Sequence, residues 1–210
     1  MAESVKQKPF YYLRTEKLGL FPYLQEFIPI YHNWMQDEEI LFLTGSEPLT
    51  LEEEKENQLS WLKDNEKYTF IIFEKDATID LQQPNFPEYT KNYKMAGDIN
   101  LFFHPYIEEN EAEIDVMIGE KSARKKGLAQ TAVQIMMDFG NAFFKKNRFI
   151  AKIKKENQKS ISLFEKLGFK MFIEIESFQE VHYEFVYTQD LSEQQFRQKY
   201  LDFHQLQLQL

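Results

Sequence analysis

The stretch Glu113–Ala129, EIDVMIGEKSARKKGLA, limits what this chain can fold into more than any other. It reads as a strand, a loop with the consecutive cations Arg124, Lys125 and Lys126, and a glycine turn at Gly127 into a helix over 128–144. The first N–H groups of a helix have no partner within it and sit at the positive end of its dipole. A strand entering a helix through such a turn makes an anion site suited to a pyrophosphate. The helix must also lie on a sheet. Leu128, Ala132, Ile135, Met136, Phe139 and Phe143 form one apolar stripe. Gly140 is disfavoured inside a helix and points to close packing there.

The rest of the chain supplies the sheet. Phe10–Arg14 reads as a strand, 22–29 as a turn and helix entry, and Ile30–Glu39 as a short helix in which His32 is structural. After a break at Gly45–Pro48, a capping box from Thr50 to Glu53 opens a helix to about Asp64. Leu51, Leu59 and Leu62 are its apolar contacts; Glu52, Glu53, Glu54 and Glu56 are its solvated face. Tyr68–Glu74, Met95–His104, Glu113–Ile118, Phe149–Lys154, Met171–Glu176 and Glu180–Tyr187 read as strands, and Asn157–Leu167 as a helix stopped by Gly168. Residues 76–94 read as an irregular insertion and 188–210 as a helical tail with Phe196, Tyr200 and Phe203 on one side. This order predicts an α/β domain over 1–187 with a mixed sheet of about seven strands and about four helices.

Composition removes several function classes. The absence of cysteine excludes disulfides, thiolate metal sites and thiol nucleophiles, and no metal is expected. No apolar run is long enough for a membrane span and the N-terminus has no apolar leader, so a soluble cytoplasmic protein without membrane contact is expected. The net charge of −9 argues against nucleic acid and suits a cationic substrate such as a protonated amine.

The run Arg124-Lys125-Lys126-Gly127-Leu128-Ala129 resembles the [RQ]-x-x-G-x-[GA] coenzyme A loop of the GNAT acetyltransferase superfamily. Downstream, NQKSISLFEKLGF over 157–169 resembles the superfamily's N-x-x-S-…-[YF]-E-K-x-G-F motif, in the right order. LFPYLQEFIPIYHNWM, LTGSEPLTLEEE, GDINLFF and SFQEVHYEF are similar to the N-acetyltransferase 9-like branch, near the ribosomal-protein acetyltransferases. The likeness spans about residues 10–187. It implies a GNAT fold, mostly antiparallel, with a splayed cofactor cleft between the fourth and fifth strands. It also implies an acetyl-CoA-dependent N-terminal acetyltransferase. The substrate associated with that branch is the N-terminus of α- and β-tubulin, in the cytoplasm, on microtubules or at the cilium.

The resemblance assigns roles residue by residue. Backbone N–H groups of Lys125, Lys126, Gly127, Leu128 and Ala129 would hold the pyrophosphate, with charge from Arg124 and Lys126. Val116, Met117, Ile118 and Gly119 would pair with the pantetheine arm like an added strand, and an N–H near Val116 and Met117 would stabilise the oxyanion. Glu113, eleven residues before Arg124, is the expected base, with Asp115 second on the same strand face. Many relatives place a tyrosine acid where Phe164 stands, so Phe164 joins the cofactor-binding set and Ser160 becomes the candidate acid. Asn157 would bond the pantetheine amide or cap its helix. Two other readings stay open: a non-catalytic, microtubule-associated GNAT-fold protein, and an acetyltransferase for a small amine. An open V between the strands, with Glu113 facing it, would favour an enzyme.

Overall fold

The computed structural model describes residues 8–75, 93–104 and 108–206. Nine strands form one sheet: β1 Phe10–Arg14, β2 Leu18–Pro22, β3 Lys67–Lys75, β4 Tyr93–Phe102, β5 Glu111–Met117, β6 Arg148–Lys154, β7 Lys170–Ile175, β8 Glu180–Val186 and β9 Asp202–Leu206. Their order is β7-β8-β6-β5-β4-β3-β2-β1-β9. Every neighbouring pair is antiparallel except β5 and β6. The helices are α1 Ile28–Trp34, α2 Glu38–Thr44, α3 Leu51–Lys63, α4 Leu128–Phe144, α5 Gln158–Lys166 and α6 Glu193–Lys199. The class is the expected mixed α/β one, with two more strands and two more helices.

Strand alternation splits the core in two. On β3, Tyr68, Phe70 and Ile72 face α4, while Ile71 and Phe73 pack with Phe27, Ile28, Tyr31 and Trp34 on the opposite face. The stripe of α4 is buried as its spacing requires, with Phe143 partly covered. A Cβ on Gly140 would come 2.9 Å from Leu101 Cδ1 and from Phe149 Cε1, so glycine lets this helix sit close to the sheet.

Several local readings change. LGLFP forms β2, with Leu18 and Leu20 in one core and Phe21 in the other; Pro22 stands at its end, where a missing N–H is tolerated. The helix expected over 30–39 is two helices, because Asp37 accepts the N–H groups of Glu39 and Ile40 (2.9 and 3.4 Å) and restarts the chain as α2. The capping box opens α3 as expected, but the buried residues of α3 are Glu54, Gln58 and Leu62, spaced by four. Leu51 and Leu59 are exposed. Glu54, expected in solvent, is 1% exposed and accepts the Tyr23 hydroxyl at 3.1 Å. Of the expected insertion, Tyr93 and Lys94 belong to β4, and 76–92 lie outside the described residues.

Among its described residues the tail is helical only in α6. Asp202–Leu206 instead pairs with β1 as β9, where Arg14 Nη2 donates to Asp202 Oδ1 at 2.7 Å. Phe196 and Phe203 lie with ring centroids 6.0 and 6.1 Å from that of Phe139. Asp138, buried on α4, accepts from the hydroxyls of Tyr187 and Tyr200 and from Lys199 Nζ, at 2.5, 2.6 and 2.7 Å. No helix among the described residues is long and apolar enough to cross a membrane.

Candidate active site

β5 and β6 pair only from Glu111 to Glu113 and from Arg148 to Ile150. Beyond that, β5 continues along β4 to Met117 and β6 along β8 to Lys154, so the strands part into a V. This is the cleft expected between the fourth and fifth strands of the sequence reading. Arg148 closes its base, paired with Glu111 and, at 2.7 Å, with Glu184.

One wall of the V is β5, the loop after it and the start of α4. Val116, Met117 and Ile118 are half-buried at the open end. Gly119 lies against the Trp34 indole, which a Cβ would overlap, and Arg124 Nε donates to Ile118 O at 3.1 Å. Lys125 and Gly127 have left-handed backbones, φ 63° and 75°, a conformation glycine adopts without penalty. No side chain caps α4; its first internal bond runs from Thr131 N–H to Gly127 O at 3.2 Å, so the N–H groups of Leu128, Ala129 and Gln130 precede it. A glycine cradle, unclaimed donors and nearby cations fit the diphosphate of coenzyme A.

The cations are shared with carboxylates. Lys126 pairs with Glu74 at 2.6 Å, and Lys121 with Asp37 at 2.8 Å. Glu39 of α2 reaches Arg124 at 3.7 Å and Lys159 at 3.6 Å. Lys17, between β1 and β2, places Nζ 2.7 Å from where a Gly127 Cβ would be. Sequence reasoning missed Lys17, since only the sheet brings that turn beside the loop.

The second wall is the polar face of β3, β4 and β5. Glu113, Asp115 and Met117 share this face, as their spacing requires. Glu113 Oε2 meets Lys152 Nζ at 2.6 Å and His104 Nε2 at 3.6 Å. Across the sheet, Thr69, Asn100 and Asp115 stand in register. Thr69 Oγ1 donates to Asn100 Oδ1 at 2.6 Å, and Asn100 Nδ2 donates to Asp115 Oδ1 and Asp98 Oδ2, both at 2.7 Å.

Asp98 is 3% exposed; burial and then the Asp115 charge push its carboxyl up to about 7. Solvent reaches Asp115 from the open cleft, yet protein surrounds it on its other sides, and that enclosure pushes its carboxyl up. Lys67 is buried with Nζ 2.9 Å from the centre of the Trp61 ring. Burial brings its ammonium down to about 8, against the pull of Asp115 and Asp98. Neither Asp98, Asn100 nor Lys67 stood out in the sequence. The available signal was polar residues at alternate positions of apolar strands, Lys67 and Thr69 in β3 and Asp98 and Asn100 in β4.

On α5, Asn157 caps the helix, its Oδ1 accepting Ser160 N–H at 3.1 Å, and Ser160 is half-buried in the first turn. Phe164, expected beside the cofactor, is the buried residue of α5. Its ring is 2% exposed and stands edge-on to Phe169 at 4.9 Å, as the buried face of α5 demands. Among the described residues, no group of three or more His, Cys, Asp or Glu could hold a metal ion.

The acetyltransferase (GNAT) domain family matches residues 17–170. The N-acetyltransferase 9-like protein of Dictyostelium discoideum is 41% identical over 174 residues, covering 81% of this chain and 82% of that one. The human alpha/beta-tubulin-N-acetyltransferase 9 is 42% identical over 170 residues, covering 80% of each. Among solved structures, spermidine N-acetyltransferase from Vibrio cholerae, in complex with CoA and spermine, superposes with a TM-score of 0.67 at 19% identity, over 82% of this chain and 96% of that one.

Proposed function

The chain belongs to the GNAT acetyltransferase family, among the N-acetyltransferase 9-like proteins, and on that premise we propose that it acetylates protein N-terminal amines, those of α- and β-tubulin, from acetyl-CoA. The observation that carries the reading is the parting of β5 from β6 directly before an uncapped, glycine-entered helix. Tubulin enters through the name of the human relative. Such a substrate places the protein with microtubules in the cytoplasm.

Acetyl-CoA would supply the activated acetyl thioester. The N–H groups from Lys125 to Ala129 bind its diphosphate, with charge from Arg124, Lys126 and Lys17. The unpaired edge of β5 from Val116 to Gly119 takes the pantetheine arm, and an N–H there faces the carbonyl oxygen as charge develops on it. The amine attacks only when neutral, so its proton goes to the acidic face of β5, where Glu113 and Asp115 stand. Ser160, in the first turn of α5, returns a proton to the leaving sulfur, and Asn157 orients that turn.

Calorimetry with CoA, and transfer of labelled acetyl to peptides with tubulin N-terminal sequences, test this. Micromolar CoA binding and acetylation at the α-amine are expected. A chain that binds no CoA, or binds it and acetylates no such peptide, returns the protein to the non-catalytic reading.

A further inference from the structure

Glu113 and Asp115 share one face of β5, but their surroundings differ. Glu113 is engaged by Lys152 and His104 through a single oxygen. Asp115 has one donor among the described residues, Asn100, at Oδ1. Both N–H donors of Asn100 are taken: its amide nitrogen serves two carboxylates, while its oxygen accepts from Thr69. The two accepting oxygens of Asp98 and Asp115 therefore lie within twice 2.7 Å of each other. The other oxygen of Asp98, Oδ1, is buried with no hydrogen-bond partner.

A buried acceptor without a donor is costly and needs an explanation. The groups facing this pair are Lys67 from β3, Glu113 on β5 and Tyr31 from α1; Tyr23 and Glu54 of α3 lie beyond Tyr31. One buried cation thus answers two carboxylates. The ligand that completes such a site is a cation rich in N–H donors.

We propose that Asp115 receives the terminal ammonium of the substrate and takes its proton, with Asn100 and Asp98 as positioning residues. This rests on the reading of the chain as an N-terminal acetyltransferase. The proton passes from the ammonium to the Asp115 carboxylate. The freed lone pair then forms the N–C bond to the acetyl carbon, and the C–S bond breaks with its electrons on sulfur. Ser160 gives its proton to that sulfur and regains one from the second N–H of the new amide, and Asp115 returns its own to solvent.

The same chemistry sets the substrate class. An α-ammonium gives up its proton near pH 8 and a lysine near 10.4, a difference of about 300-fold in the neutral fraction. A carboxylate, a far weaker base than a lysine amine, takes a proton more readily from the former. Burial raises the Asp115 carboxyl, and the Glu113 charge on the same strand face adds to that, while the Asn100 hydrogen bond holds it down.

The test uses the full chain, peptides with tubulin N-terminal sequences, and the same peptides already N-acetylated. Asp115→Asn should lower kcat/KM about 100-fold or more, with the Kd for CoA within about twofold of wild type. With CoA bound and no turnover, wild type should prefer the free-amine peptide about tenfold, and Asp115→Asn should lose that preference. Asn100→Ala removes the hydrogen bond that holds the Asp115 carboxyl down and should shift the acid limb of the kcat/KM profile to higher pH, the opposite of what loosened packing and added water would produce. Glu113→Gln should cost less than Asp115→Asn. If wild type is active and Asp115→Asn stays within about threefold, or keeps the free-amine preference, the role assigned to Asp115 is wrong and the acetyltransferase reading stands. If Asp115→Asn loses CoA binding, the Asn100→Ala profile decides, and an unmoved acid limb overturns the assignment. If wild type acetylates none of the peptides, the reading beneath it falls as well.

Discussion

The two walls of the cleft are built in opposite ways. The cofactor wall is local: β5, loop and α4 follow each other without interruption, and their geometry depends on a glycine at φ 75° and an uncapped helix start. The acceptor wall is assembled from β3, β4 and β5 by cross-strand register, and helices α1 and α3 cover it. The first wall tolerates change in distant parts of the chain. The second depends on every strand holding its register, and Lys67, Thr69, Asp98 and Asn100 in it are buried, so each one's energy is set by its neighbours.

Substitutions confined to one wall can break this contrast. Gly127→Glu forces a side chain into a left-handed backbone and puts a carboxylate at the proposed diphosphate site. The expected result is a loss in CoA affinity of about 100-fold or more, the scale of removing a charged hydrogen-bond site. Affinity for a free-amine peptide, measured without CoA, should stay unchanged. If both affinities fall together, the walls are not independent.

Phe164→Tyr asks whether α5 belongs to the chemistry or to the core. A hydroxyl in this buried place should cost about 1–3 kcal/mol of stability in denaturant unfolding, without raising the acetylation rate. A rise in rate would bring the ring back to the cofactor.

Asp98→Asn probes the acceptor wall through stability. The folded-state value of Asp98, about 7, lies above its ordinary value of 3.8, so the fold favours the protonated acid. That contribution is complete at low pH and is lost as pH rises from about 4 to about 7. Asparagine stays neutral throughout. The variant should therefore gain on wild type by at least about 1 kcal/mol between pH 4 and pH 8. A flat difference across that range would show that Asp98 does not titrate in it.

The smallest effect is expected at Lys17. An exposed cation near a phosphate contributes about 0.2–1 kcal/mol, so Lys17→Ala should weaken CoA binding about two- to fivefold, and less in high salt. No change would remove the β1–β2 turn from the cofactor wall.

The same contrast explains what could be read in advance. The span of α4, the capping box at Thr50, the stop at Gly168 and the buried stripe from Leu128 to Phe139 depend on residues within a turn or two of each other, and sequence spacing carries that information. The V was expected from the resemblance, and its strands part where β5 ends its pairing at Glu113.

Other features were decided by partners far along the chain. The spacing of Phe196, Tyr200 and Phe203 suits a helix, yet β1 offers an open edge of backbone donors and acceptors, and Asp202–Leu206 fills it as a strand. Glu54 sits in an acidic run that reads as solvated, yet Tyr23 meets it at one end of its helical face. Asp98, Asn100 and Asp115 come together only because β4 and β5 pair in one register, and a slip of β5 by one residue would turn Asp115 to the face opposite Asp98 and Asn100. Sequence alone determined where α3, α4 and α5 begin and stop, because caps and glycine stops reside in backbone conformation and in neighbours a turn away. Tertiary structure decided which charges are buried and which of them meet, because burial is a property of the partner as much as of the residue.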